Sequence, residues 1–227
     1  MQFGELPYDV AHMLGGAMLL ASFVLLYQRR LEAVVNALAV QGVLLALAAC
    51  WQGWVQGAPQ LYLTGLIALA AKGVLIPLVL RRMLGQMPPG ARIEGSPRIG
   101  LSLVAGMGLV ALSLLVVLPV TTGTQALARE DLATALSIVL IGLLMLATRR
   151  LAITQVAGLM TLENGLVLAA VGVAGMPLVV EISTAGLVLV IAILAGVFAR
   201  QIRLHAGTED TAMLDSHRGE GPRSRGP

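Results

Sequence analysis

The chain is built from continuous apolar blocks, each about as long as a lipid bilayer is thick, and few ionisable residues interrupt them. Seven blocks can be delimited, at 10–27, 33–51, 61–80, 99–119, 132–148, 153–174 and 178–199. A helix rising ~1.5 Å per residue needs about 20 residues to cross the hydrocarbon core. All seven come close to that, the fifth being the shortest. In hydrocarbon every backbone N–H and C=O must be satisfied internally, so only helices and closed barrels span. Barrel strands alternate apolar and polar residues, whereas these blocks are apolar throughout. The expected fold class is therefore all-α, a polytopic membrane protein with about seven transmembrane helices. Composition agrees: 57% of residues are hydrophobic and 12% charged, about half the charged share of an ordinary soluble chain.

Arginine placement predicts the orientation. Arg29 and Arg30 close the first span, and Arg81 and Arg82 the third, with Arg92 and Arg98 in the loop after it. Arg149 and Arg150 close the fifth span, and Arg200 and Arg203 the seventh. With seven spans all of these share one face, whereas six or eight would scatter them. The opposite face holds the N-terminus, the uncharged 52–60 loop, the 121–131 segment with Arg129 alone, and a short turn at 175–177. The positive-inside rule puts the arginine-rich face in the cytoplasm, so the N-terminus is expected outside and the C-terminus inside. The chain then divides into a three-helix unit with a cytoplasmic loop (1–98), a connecting fourth helix with an outer loop (99–131), a second three-helix unit (132–203) and a tail (204–227). The tail is rich in Gly, Asp, Glu, Arg, Ser and Pro, and is expected to be disordered because it has little apolar mass to bury.

Several functions are excluded or disfavoured. Cys50 is the single cysteine, so neither an intrachain disulfide nor a thiolate cage can form. His12, His205 and His217 fall in three separate regions and suggest no metal site. The +3 net charge does not imply nucleic acid, because the arginines sit at helix ends rather than in a patch with aromatics. The first nine residues carry Glu5 and Asp9 and no Lys or Arg, so no cleavable signal peptide is expected.

Chemistry is sought among the few polar residues inside spans. Glu163 lies thirteen residues after Arg150, ~20 Å into the sixth helix and so near mid-bilayer. A carboxylate there costs several kcal/mol unless it is paired, wet or protonated. It suits a proton relay; the alternative is a protonated acid bonded to a neighbouring helix. Lys72, between Leu61 and Leu80, is also too deep to snorkel easily. It either exchanges a proton or is the fixed partner of a carboxylate on another helix. Pro77, five residues on, removes a backbone donor and frees a carbonyl. Glu181 sits near the outer end of the seventh span, roughly 10 Å or more in depth from Glu163, and reads either as a third proton-transfer group or as an interfacial residue meeting water. Asn36, Gln41 and Asn164 are supporting polar residues, since amides between membrane helices serve packing and hydrogen bonding. His12 is expected at the interface rather than as a ligand. Gly15, Gly16, Gly106, Gly108 and Gly172 are expected to permit close helix approach. No nucleophile–base pair, phosphate loop or metal-ligand spacing appears, so no catalytic centre is expected in this chain.

An internal similarity is also present. Arg29-Arg30-Leu31 recurs as Arg149-Arg150-Leu151, and Gln41-Gly42-Val43-Leu44 as Asn164-Gly165-Leu166-Val167. Spans one to three and five to seven share an orientation. Either this is a decayed tandem repeat, or it is the general likeness of Leu/Ala/Val-rich helices.

The run from Arg149-Arg150 through Thr161-Leu162-Glu163-Asn164-Gly165 resembles the K-type subunit of respiratory complex I and the C subunit of Mrp sodium/proton antiporters. Those are three-helix proteins with a basic pair before a helix carrying a mid-membrane Glu. The whole chain is closer to component E of hydrogenase 4, which shares a segment like Lys72-Gly-Val-Leu-Ile-Pro77-Leu-Val-Leu-Arg81-Arg82, the Glu163 run, Gly175-Met-Pro177 and Glu181. The resemblance implies a non-catalytic subunit of a formate hydrogenlyase-type membrane arm in a bacterial inner membrane. Its partners would be antiporter-like and other membrane-arm subunits and, indirectly, a soluble hydrogenase-like arm holding nickel–iron and iron–sulfur centres. No cofactor is implied in this chain. One departure stands: residues 186–196 are apolar throughout, so the second acid usual well inside the third helix of a K subunit is missing. The alternatives are a cation/proton antiporter subunit with no redox partner, or a structural anchor.

Overall fold

The computed structural model describes residues 6–85, 99–120, 126–149 and 151–173, together with Ala185 and Gly196. Those two positions apart, the expected seventh span lies outside the described residues, as do Glu181, the 86–98 loop and the tail. The described elements are all helical. They are α1 (Leu6–Tyr27), α2 (Leu31–Gln56), α3 (Gln60–Leu84), α4 (Ile99–Val120), α5 (Ala126–Thr148) and α6 (Ala152–Val173). All six are long and apolar enough to cross a membrane.

Two boundaries differ from expectation. The 52–60 loop is mostly helix: α2 runs on to Gln56, and the connection to α3 is only Gly57, Ala58 and Pro59. Glutamines are good helix formers, so polarity marks where α2 leaves the apolar layer, not where it ends. It ends because Gly57 adopts φ 62°, a left-handed conformation that costs a residue without Cβ nothing. The Ala58 N–H then closes back on the Gly53 carbonyl at 3.0 Å. The fifth helix is not short. It starts at Ala126, takes Arg129, Glu130 and Asp131 into its first turns, and has 23 residues. Charge at a helix end had hidden its beginning.

α3 is continuous but not uniform. Its α-helical ends, Gln60–Ala68 and Ile76–Leu84, flank a π-helical segment, Leu69–Leu75. The Ile76 N–H reaches the Ala71 carbonyl, five residues back. Pro77 stands in the first turn that follows. A proline lacks the N–H that would bond four residues back and its ring crowds that carbonyl; the wider turn accommodates both. Lys72 lies at the centre of the π segment.

α2 is the hub, packing against α1, α3 and α6, while α5 and α6 form the closest pair. Among the described residues, α6 is the most enclosed helix and α4 the least, lying mainly against α5 and α1. The closest approaches fall at glycines other than those expected. A Cβ on Gly142 would lie 2.5 Å from the Leu162 nitrogen, and one on Gly165 2.8 Å from the Ala135 carbonyl oxygen. One on Gly42 would lie 2.6 Å from the Lys72 carbonyl carbon. Of the expected set Gly106 is tight, against Phe23 and Leu26, and Gly15 makes ordinary contact with Thr134; among the described residues nothing comes within 4 Å at Gly16, Gly108 or Gly172. Small residues matter where backbones cross, and a sequence does not say which of its many glycines sit at crossings.

Large apolar side chains lie on the outer surface of the described helices, with Leu20, Val40, Leu66, Leu101 and Leu115 all exposed. Inside, two apolar clusters are stacked. One, towards the arginine-bearing ends, includes Leu26, Val35, Ile76, Ile141, Met145 and Met160. The other, towards the opposite ends, includes Met18, Leu45, Ala49, Ile138, Val167 and Val171. The buried polar side chains of the middle lie between them.

Candidate functional site: a buried polar layer

The layer is assembled at mid-helix. Glu163 is eleven residues into the 22-residue α6, and Lys72 is twelve residues into the 25-residue α3. On α6, Gly158 and Gly165 are seven residues apart and so share a face, the face pressed against α5. Glu163 is two residues before Gly165, ~200° around the helix, and therefore points away from α5 towards α2 and α3. On α3, the Gly42 contact fixes the backbone at Lys72 directly against α2. The two side chains meet there: Lys72 Nζ stands 3.4 Å from Glu163 Oε1, with 1% and 5% of the side chains exposed.

Beside the pair runs a hydrogen-bonded chain that crosses three helices. Asn164 Nδ2 on α6 donates to Gln41 Oε1 on α2 at 3.1 Å. The Thr161 hydroxyl faces the same Gln41 oxygen at 3.3 Å and the Ala157 carbonyl at 2.8 Å, its one proton serving either. Gln41 Nε2 donates to the Ser22 hydroxyl on α1 at 2.8 Å, and Ser22 donates to the Met18 carbonyl at 2.9 Å. All four side chains are fully buried. Beside this chain, among the described residues, Lys72 Nζ, both Glu163 carboxyl oxygens and Asn164 Oδ1 make no hydrogen bond. At 3.4 Å the two groups of the Lys72–Glu163 pair are in ion-pair contact, and among the described residues both keep hydrogen-bonding capacity in reserve.

Of the residues singled out in the sequence, Glu163, Lys72, Gln41 and Asn164 come together. Asn36 does not join them: it is exposed towards the arginine-bearing end of α2, where Arg81 donates to its Oδ1 at 2.8 Å. Glu181 lies outside the described residues. Sequence reasoning missed Ser22, the single serine or threonine of α1, whose signal was its isolation in an apolar run. It also missed a second contact between ionisable side chains, His12 Nδ1 on α1 and Asp131 Oδ1 on α5, at 2.9 Å. No sequence spacing connects those two. Arg149, expected at the membrane surface, is instead buried and donates to the Leu26 carbonyl, capping the end of α1. Among the described residues, no cluster of His, Cys, Asp and Glu has the makings of a metal site.

The fold and the layer define an all-α membrane protein with a charged pair enclosed midway along its spanning helices. The chain is 31% identical over 202 residues to the uncharacterized protein Rv0085 of Mycobacterium tuberculosis, a match covering 88% of this chain and 91% of that one. It belongs to the same family as that protein. No family model matches the chain, and no solved structure does.

Proposed function

We propose that the protein is a non-catalytic subunit of a multi-subunit membrane complex, and that its buried layer carries part of an ion path, with Glu163 and Lys72 as the proton-holding groups. The observation that carries this reading is the pair itself. Two ionisable side chains meet at mid-helix, almost fully buried, with hydrogen-bonding capacity left over. Ionisable residues this deep are costly to retain and mark ion or proton pathways by default. The resemblance to hydrogenase 4 component E names the kind of complex, a formate hydrogenlyase-type membrane arm in the bacterial inner membrane. Nickel–iron and iron–sulfur chemistry would then belong to the soluble partners. Seven spans, the N-terminus outside and the C-terminus in the cytoplasm, are part of the same reading and rest on the arginine placement.

A specific observation favours a second reading. The layer is sealed by apolar clusters on both sides. A sealed ion pair can serve assembly alone, by fixing which helices meet. A relay therefore requires one of the two seals to open.

Purification in mild detergent tests the first reading. Co-purified antiporter-like subunits with nickel and iron are the expected result. Antiporter-like subunits without metal would identify a cation/proton antiporter instead, and a chain recovered alone would rule out both. Topology is tested in a Cys50→Ala background with an impermeant thiol reagent on intact cells. A cysteine at Gln60 should label, and one at Gly85 should not; the reverse pattern refutes the orientation.

A further inference from the structure

The outer ends of the helices carry a feature that the proposed path does not yet use. His12 and Asp131 meet at 2.9 Å between α1 and α5, with about a quarter of each side chain exposed (25% and 24%). Next to them is a small cavity of about 10 Å³, room for roughly one water. It is lined by Ala48 and Gln52 of α2, Asp131 of α5, and Val171 and Gly172 of α6. This mouth therefore belongs to the four helices α1, α2, α5 and α6, three of which carry the Ser22–Gln41–Asn164 chain below it. Val171 is eight residues from Glu163, so mouth and pair are ~12 Å apart along α6. Met18, Leu45, Ala49, Ile138 and Val167 fill the interval and are buried.

Resting on the ion-path reading above, we propose that the His12–Asp131 pair is the extracytoplasmic proton-exchange site of this subunit. It loads or unloads a proton against outside water, and the apolar layer beneath it separates that step from Glu163. The chemistry fits. Imidazole is the side chain that changes charge near neutral pH, and a carboxylate at hydrogen-bonding distance orients it and accompanies its charged form. Asp131, about a quarter exposed, gives the pair access to bulk water and borders the one-water cavity, while His12 Nε2 is buried, so exchange with outside water runs through the Asp131 carboxylate. Among the described residues, the charged groups near His12 stand on α1 and α5. Asp9, exposed, precedes it by one turn on α1, and Asp131 faces it from α5, with Arg129 and Glu130 adjacent in sequence and their side chains outside the described residues. The mouth residues of α2 and α6 are uncharged.

The competing role is a staple that only ties α1 to α5. His12→Gln separates the two, because the glutamine amide can still donate to Asp131 but cannot titrate. The experiment measures proton movement by vesicles holding the whole complex, per assembled complex, while the pH on the extracytoplasmic side is varied between 5.5 and 8. The wild type is expected to change rate several-fold over that range, and both His12→Gln and Asp131→Asn to flatten the profile. If either variant assembles and keeps the wild-type profile, the proposal is overturned. Should His12→Gln fail to assemble, Asp131→Asn decides. Glu163→Gln runs in parallel: full proton movement in that variant defeats the ion-path reading, whereas its loss together with an unchanged profile in His12→Gln defeats the exchange site alone.

Discussion

Lys72→Met will destabilise the protein strongly, and adding Glu163→Gln will restore most of what was lost. Removing the lysine strips a buried carboxylate of the charge 3.4 Å away, and among the described residues neither of its oxygens has a hydrogen-bond partner to fall back on. At an effective dielectric of about 20, a pair of charges at that distance attracts by roughly 5 kcal/mol. Desolvation opposes this by several kcal/mol per ion, so the intact pair contributes little net stability. Breaking a buried pair from one side nevertheless costs about 3–5 kcal/mol, because the uncompensated charge stays behind. The carboxyl can escape part of that loss by taking up a proton. The double variant leaves no charge, and methionine fills much of the lysine's volume. Its stability is expected within about 1–2 kcal/mol of wild type, in line with neutral replacements of buried pairs elsewhere. Thermal unfolding in detergent checks this, together with the amount of protein in the membrane. A single variant as stable as wild type would mean that the two side chains do not form a charged pair.

That outcome bears on how much of the molecule could be read from its residues. The membrane class was plain, because hydrophobic blocks of bilayer length have one common solution. The six described helices fall close to the expected spans for the same reason. The ends were harder: Gln52 and Gln56 are polar and yet helical, and only the left-handed backbone of Gly57 stops α2. Lys72 and Glu163 stood out individually because charge in hydrocarbon is expensive. Their pairing could not be derived, because it depends on which faces α2, α3 and α6 present to one another. Those faces are set by Gly42 and Gly165, two of 26 glycines; each follows an amide, Gln41 or Asn164, but that pattern does not say which helix the glycine meets. The His12–Asp131 contact was hidden likewise, as it joins helices far apart in the chain through one side-chain distance.

The widest separation between readings comes from the same double variant assayed for function. If the pair serves only assembly, Lys72→Met/Glu163→Gln should be both stable and active, since its fold is rescued and nothing else was asked of the two residues. If the pair holds a translocated proton, the rescue of structure will not rescue transport. An amide cannot release a proton in this range, and methionine cannot hold one. Proton movement per assembled complex should then fall by about a hundredfold or more, the lower end of what a positioned proton-transfer group contributes. Glu163→Asp keeps the acid but draws it back by ~1.5 Å, one carbon–carbon bond, from a lysine already at 3.4 Å. It should assemble and work at an intermediate rate. Glu163→Ala should be worst in both respects, leaving Lys72 buried without a counter-charge beside an empty volume. The decisive order is that stability ranks the double variant above Ala, whereas activity leaves the two together and places Asp above both. A double variant that assembles and moves protons at the wild-type rate would take Glu163 and Lys72 out of the path, and the sealed layer would then be a device for joining α2, α3 and α6.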